Sequence, residues 1–291
     1  MASNASNASN SGGSGGGAAS AGNATGITDG WFFADRVDLP FVTLLASGGT
    51  PVAQERIAAP AFPERNWGAD WFAWRVLIDF TQTAWAGIAL GDWTTMPGFT
   101  SVDDEIDNLV QAAQDERADA LGEILSQADE FTSYFMNLMT ATPGAYPATN
   151  RVLRAANVVA LFVAMYFKAH YKRARPTQLC PALLPPIAVP GHAAYPSGHS
   201  TQAHHMALCM GEIFDGLPVA QKPQMQPMRD DLKVLADRIA RNREIAGLHY
   251  PSDSAAGVVL ANQVLALLSG MPATSPYRTA ITNAVAEWTW P

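Results

Sequence analysis

The chain has 291 residues, 48% of them hydrophobic, with 18 basic against 26 acidic side chains and a formal net charge of −8. Such a composition supports a sizeable buried core. It excludes a general nucleic-acid binder, which needs a basic surface to neutralise phosphates, so any anion site must be local.

Residues 1–27 are dominated by Ala, Ser, Asn and Gly with a repeated Ala-Ser-Asn. That is too polar and simple to pack, and it reads as a low-complexity tail ahead of a single helical domain over 28–291. The tail lacks the basic start and apolar centre of a secretory signal, so the chain as given shows no export address and the localisation stays open. From Trp31 to Trp93 aromatic residues are frequent. Asp70 to Leu90 carries Trp71, Trp74, Leu77, Ile78 and Trp85 at nearly helical spacing, which predicts a helix packed into the core on that stripe.

Ser101 with Asp104 resembles a helix start, and Asp103 to Met139 reads as one or two amphipathic helices. Asp103, Asp104, Glu105 and Asp107 are read as a solvated first turn favoured by the helix dipole, since no Gly-centred calcium loop follows. Asn150 to Tyr171 is a further helix, which Pro176 stops by disfavouring helical geometry at Arg175. Leu179 to Gly191, with four prolines, is a loop. Ser197 is a good N-cap for a helix from Ser200 to Phe214. Leu217 to Pro227 connects to a helix over Met228 to Gly247, with Gly247 as terminator. Pro251 opens a helix through Leu268, and Ser275 to Glu287 adds a short one.

No alternating run reads as a strand, so the fold class is all-α, a helical bundle. The apolar runs Val158 to Phe167 and Ala255 to Leu268 fall short of the roughly 20 residues a spanning helix needs. The expectation is a protein in solution with no membrane span. Cys180 and Cys209 are too few for a disulfide framework, and they can pair or stay free.

Positive charge is concentrated at Lys168, Lys172, Arg173 and Arg175. Lys168 with Arg175, then Pro196-Ser197-Gly198-His199, then Arg243, His249 and Asp253 form clusters at helix ends or adjoining loops, where a rigid scaffold commonly holds functional groups. Two guanidiniums and an ammonium can hold a tetrahedral oxyanion, and the Ser197 hydroxyl and Gly198 amide complete such a cradle at a helix N-terminus. Asp253 follows His249 by about one helical turn, so its carboxylate can fix the ring tautomer and leave the other nitrogen free to attack. His199 can then protonate a leaving oxygen. Arg243 also has the plain reading of a surface residue, and Asp253 that of a dipole-favoured first-turn acid.

These blocks resemble the superfamily that joins type 2 phosphatidic acid phosphatases, bacterial class A acid phosphatases and vanadium-dependent haloperoxidases. Its pattern is Lys, six residues, Arg-Pro; Pro-Ser-Gly-His; then Ser-Arg, five residues, His, three residues, Asp. Lys168 with Arg175-Pro176, Pro196 to His199, and Arg243, His249 and Asp253 match at every gap, within about residues 150–270. Asn242 departs from the usual Ser.

The resemblance implies a helical bundle in which Lys168, Arg175, Ser197, Gly198 and Arg243 bind phosphate or vanadate. His249 would be the nucleophile of a phosphohistidine, oriented by Asp253, with His199 as acid and base. No metal or cofactor is expected for a phosphatase acting on a small-molecule phosphate ester. The alternative is a haloperoxidase using halide and hydrogen peroxide, with vanadate as cofactor and His249 as the vanadium ligand.

Tyr250-Pro251-Ser252-Asp253 after His249, and Ala174 before Arg175, are similar to the phosphatase branches. His192, seven positions before His199, is similar to bromoperoxidases, where that residue lies near the halide site; it is also readable as a polar loop histidine. A phosphate-binding relative without turnover is the third reading. His204 and His205 are read as helix-surface or packing residues. The oligomeric state stays open.

Overall fold

The computed structural model describes residues 42–43, 52–53 and 61–291. The expected tail over residues 1–27 lies outside them. The described residues fall in two compact units, a smaller one ending at Gly68 and a larger one, Ala69–Pro291. In the smaller unit, Val42–Thr43 and Val52–Ala53 pair antiparallel, Val42 opposite Ala53. This strand pair is too short to produce the alternation that would reveal it in the sequence. A 3-10 turn follows at Glu64–Asn66.

Among the described residues the larger unit is all-α, as expected. It contains α1 (Ala69–Phe80), α2 (Val102–Asp115), α3 (Arg117–Ser126), α4 (Thr132–Leu138), α5 (Pro147–Tyr171), α6 (Pro176–Leu179), α7 (Gly198–Asp215), α8 (Gln226–Ile245), α9 (Pro251–Ser269) and α10 (Pro276–Glu287). Helices α5 and α7 form the centre: α7 packs on α5, α8 and α9, while α5 also packs on α1 and α10. Small residues let α5 approach its neighbours, with Ala155, Ala156, Ala160 and Ala164 fully buried beside Val152, Val159 and Val163. From α7, Met206, Met210, Ile213 and Phe214 fill the layer, each contributing about 1.5–3 kcal/mol on burial.

One glycine decides the spacing of α7 and α9. A Cβ on Gly257 would lie 2.6 Å from Ser200 Oγ and 2.8 Å from the Thr201 backbone nitrogen, so only glycine lets the two helix starts come this close.

Local signals explain the boundaries. Ser101, Ser197 and Ser275 cap α2, α7 and α10, accepting from the amides of Asp104, Ser200 and Arg278. Gly247 follows α8 with φ +77°, a left-handed conformation that favours glycine.

Three expectations change. Helix α1 ends at Phe80 and Trp85 begins a separate 3-10 turn; the buried stripe is Phe72, Ala73, Val76, Leu77 and Phe80, while Trp71 and Trp74 are 54% and 46% exposed. The tryptophans therefore did not mark the core face, whereas Phe72 and Phe80 lie on it. The stretch expected to hold one or two helices contains three, α2 to α4, separated at Glu116 and at Gln127–Phe131. By length and composition, the run Pro147–Leu179 and α9 could each cross a membrane, with 56% and 50% of their apolar windows buried. The shorter apolar runs counted from the sequence understated them. Both cysteines are free.

Candidate active site

Lys168 sits in the last full turn of α5 and is 1% exposed. Lys172 then turns left-handed at φ 53°, and Arg175 is extended at φ −69°, ψ 151°, as the following Pro176 requires. The loop returns to Ser197 and Gly198 at the start of α7. The Ser197 amide donates to the Asp253 carbonyl at 2.9 Å, tying the start of α7 to that of α9. A Cβ on Gly198 would come within 3.9 Å of Lys168 Cε, so the backbone of α7 faces the ammonium. Arg243 lies in the last turn of α8, and the Gly247 turn places His249 just before Tyr250, the N-cap of α9.

His249 Nδ1 lies 3.2 Å from Asp253 Oδ2, which also accepts from the Tyr250 amide at 3.1 Å. Arg175 Nη1 donates to the Leu248 carbonyl at 2.8 Å and to His249 Nε2 at 3.1 Å. A guanidinium can only donate, so Nε2 holds the lone pair and Nδ1 the proton. Arg175 also donates through Nε to the His192 carbonyl at 2.9 Å and through Nη2 to His192 Nδ1 at 3.0 Å. Lys168 Nζ donates to the carbonyls of Ala193 and Ala194 at 2.9 and 2.8 Å. On the opposite side His199 Nε2 donates to the Gln127 carbonyl at 3.0 Å, and its ring stacks on Phe131 with centroids 4.9 Å apart. Arg243 Nη2 donates to the Ile124 carbonyl at 2.9 Å, while its buried Nε and Nη1 have no hydrogen-bond partner among the described residues.

The electrostatics follow from burial. Burial pushes the Lys168 ammonium well below its ordinary value, and Arg175 pushes it further. Arg175 and Arg243 are each lowered to about 10, chiefly by burial. His249 is held well below 6.5 by burial, then by Arg175, Lys168, His199 and His192. His199 is lowered to about 3 by burial and then Arg243, and His192 to about 4 by burial and then Lys168. Burial raises the Asp253 carboxyl, and Arg173 beside it acts in the opposite sense. Arg175 disfavours the charge on Lys168, and both disfavour a proton on His249 and His192, as Arg243 and Lys168 do on His199, so an anion among them would relieve that repulsion.

Among the expected site residues, hydrogen bonds join Arg175 to His192 and His249, and His249 lies against Asp253. His249 feels Arg175, Lys168, His199 and His192 together, and Arg243 acts on His199. Ser197 caps α7 as expected, its hydroxyl accepting from the Ser200 amide, which leaves the O–H able to donate to an oxyanion. A cavity of about 910 Å³ opens beside Lys168, Arg175 and His192, with Met165, Lys172 and Val189 also on its walls. Arg243 is 1% exposed, so its plain reading as a surface residue does not hold.

Glu105 is a further correction: it is 3% exposed and ion-paired with Arg173 at 2.6 Å, not part of a solvated turn. His204 and His205 are buried packing residues, with His204 Nε2 2.9 Å from Asp237 and His205 Nδ1 2.9 Å from the Ala156 carbonyl.

Four residues near the site escaped sequence reasoning. Arg173 belonged to the basic cluster, but nothing in its spacing separated it from Lys172, which ends up exposed. Glu105 lay in a run of acids, and only helical phase distinguishes the inward one. Gln127 acts on His199 through a backbone carbonyl, which leaves no sequence signal. Asn242, the departure from the family pattern, donates to Gln127 Oε1 and Glu123 Oε2, both at 2.9 Å, and so supports the segment that holds His199.

No family model matches the chain. It is similar to decaprenylphosphoryl-5-phosphoribose phosphatase of Mycobacterium tuberculosis, in the strains CDC 1551 / Oshkosh and ATCC 25618 / H37Rv, at 33% identity over 120 residues in each case. The match covers 41% of this chain and 59% of each relative. The likeness is to a phosphatase, and the chain spans less than two thirds of the length of these curated relatives.

Proposed function

We propose that the chain is a phosphatase that hydrolyses a phosphate ester through a phosphohistidine on His249, using no metal. One observation carries this reading: the buried Nε and Nη1 of Arg243 have no partner among the described residues, in a site that already holds Lys168 and Arg175. Buried donors of this kind are normally satisfied, and a tetrahedral oxyanion meets forked donors well. The phosphatase likeness of the relatives supports the same class of substrate.

In the proposed reaction Lys168, Arg175 and Arg243 hold the phosphoryl oxygens. Arg175 gives up its bond to His249 Nε2 as the anion draws its donors, which frees the lone pair. Nε2 attacks phosphorus and the ester P–O bond breaks. The leaving oxygen takes a proton from the imidazolium of His199. The negative charge of the bound ester offsets the cations that lower the basicity of His199, so His199 can be protonated in the complex. Its Nε2–H stays on the Gln127 carbonyl, leaving Nδ1–H as the proton to transfer. Water then attacks the phosphohistidine with His199 as base, releasing inorganic phosphate and restoring His249. Lys168, Arg175 and Arg243 carry the developing charge, so the reaction asks for no metal.

The test is hydrolysis of a generic phosphomonoester and of ribose 5-phosphate, with and without chelator. The reading expects chelator-resistant turnover, competitive inhibition by vanadate, and loss of activity in His249→Ala. Absence of hydrolysis from acidic to neutral pH would overturn it. A second reading, halide oxidation by peroxide with vanadate in the same cradle, is favoured by His192, which lines the cavity and is bound to Arg175. It expects vanadate-loaded protein to brominate or iodinate a dye, and fails if the loaded protein never does.

A further inference from the structure

The proton of His249 is held on Nδ1 from two sides, by Arg175 donating to Nε2 and by Asp253 Oδ2 beside Nδ1, and the Asp253 carboxylate is in turn bound by Arg173. Arg173 Nη1 donates to Asp253 Oδ1 and to Ser252 Oγ, both at 2.7 Å, and Nη2 donates to Glu105 Oε2 at 2.6 Å. The second oxygen of Glu105 accepts from the Ser252 amide at 2.7 Å. The chain Glu105, Arg173, Asp253, His249 is therefore continuous, and its members are only 3%, 6%, 0% and 3% exposed. The Arg173 guanidinium lies over the Tyr250 ring, 3.8 Å from its centre, and the Arg173 carbonyl accepts from the Ala194 amide at 3.0 Å. One residue thus joins α2 and the start of α9 through its side chain and the strip before Ser197 through its carbonyl.

Buried ion pairs are a costly way to hold a fold together, because desolvation offsets most of the attraction. Here the geometry has a directional result. Arg173 occupies Oδ1 of Asp253, so Oδ2 is left for His249 Nδ1 and the Tyr250 amide. Glu105 in turn grips both Arg173 and the Ser252 backbone, so the guanidinium cannot swing away without loosening the first turn of α9.

We infer that Arg173, seated by Glu105, is a positioning residue: it fixes the Asp253 carboxylate in the orientation that keeps the proton on Nδ1 of His249 and leaves Nε2 to react. Its consequence for the rate rests on the proposed hydrolase function; its consequence for the tautomer does not.

The experiment compares the full-length protein with Arg173→Met, Arg173→Lys and Glu105→Gln, reading the His249 tautomer by 15N NMR, phosphate affinity by calorimetry, and phosphomonoester turnover. In the parent, His249 is expected as a single Nδ1–H tautomer. With phosphate bound, when Arg175 has left Nε2, Arg173→Met makes it a mixture while the parent keeps Nδ1–H, and kcat falls about 10- to 100-fold, the range seen when a group orienting a histidine is removed. Phosphate affinity changes by less than about threefold, because Arg173 does not hold the anion. Arg173→Lys recovers part of the rate.

If Arg173→Met does not fold, Glu105→Gln decides. It keeps the shape and one hydrogen bond, and the same tautomer mixing is expected at smaller amplitude with the melting temperature recorded alongside. An unchanged His249 tautomer in the folded variants, or phosphate affinity falling in step with kcat, overturns the inference. If the parent hydrolyses nothing, the functional proposal fails while the tautomer comparison still judges Arg173.

Discussion

Arg243→Met should move stability and anion binding in opposite directions. In the free protein Arg243 is 1% exposed, two of its nitrogens have no partner among the described residues, and burial lowers it to about 10 from 12.5. At about 1.4 kcal/mol per pKa unit, holding that charge costs about 3 kcal/mol. Losing the bond to the Ile124 carbonyl gives back about 1 kcal/mol or slightly more. Methionine fills similar space without the charge, so the free variant should be more stable by about 1–2 kcal/mol, a rise in Tm of a few degrees for a unit of this size. With phosphate the sign reverses. Two charge-assisted hydrogen bonds at about 1.5–2 kcal/mol each are lost, and affinity should fall by roughly 10²- to 10³-fold. Thermal unfolding across a phosphate titration reads both effects, since ligand stabilises by an amount set by its concentration over Kd. Unchanged phosphate affinity would refute the assignment of the unpartnered donors to an anion. A lower Tm without ligand would refute the claim that the buried charge of Arg243 is destabilising in the free protein.

Gly257→Ala puts a methyl against the Thr201 backbone nitrogen, 2.8 Å away. It should cost about 1–3 kcal/mol as overpacking and, by separating α7 from α9, lower turnover more than phosphate affinity; equal losses would argue against the alignment role. The buried His205 is lowered to about 4 by burial. Above pH 6.5 it is neutral in both states. As pH falls from 6.5 to about 4 only the unfolded chain takes the proton, so stability drops by about 3 kcal/mol. His205→Gln should flatten this acid slope by close to one proton in urea unfolding, and an unchanged slope would contradict the assignment. Asn242→Ala strips Gln127 Oε1 and Glu123 of a donor. It should cost about 1–3 kcal/mol and reduce turnover through His199 with little change in phosphate affinity, whereas unchanged turnover would remove Asn242 from the support of His199.

Much of the site was legible because its chemistry demands particular residue types at helix ends. Lys168, Arg175, His199, Arg243, His249 and Asp253 lie in three blocks, and caps such as Ser197 and the left-handed Gly247 mark where each block enters or leaves a helix. The fold class followed from the absence of alternating runs and the abundance of caps. What escaped depends on helical phase and on partners far away in sequence. Trp71 and Trp74 suggested the wrong face of α1 because a large ring weighs heavily in any apolar stripe, whereas the buried face is built from Phe72, Val76 and Phe80. Glu105 looked like its acidic neighbours until α2 turned it inward onto Arg173, 68 positions away. Gln127 was invisible because its backbone oxygen does the work. The membrane question turned on run length: α5 is broken by polar residues in the sequence but continuous as a helix.

The central claim is that His249 Nε2, freed from Arg175, attacks phosphorus in a cradle of Lys168, Arg175 and Arg243. The most direct measurement is to incubate the protein with a phosphomonoester, quench rapidly in base and map phosphorylated peptides by mass spectrometry. The account predicts an acid-labile, base-stable phosphoryl group on His249, absent in His249→Ala and prevented by vanadate. Hydrolysis that proceeds undiminished in His249→Ala, or a phosphoryl group carried on any other residue, would contradict it.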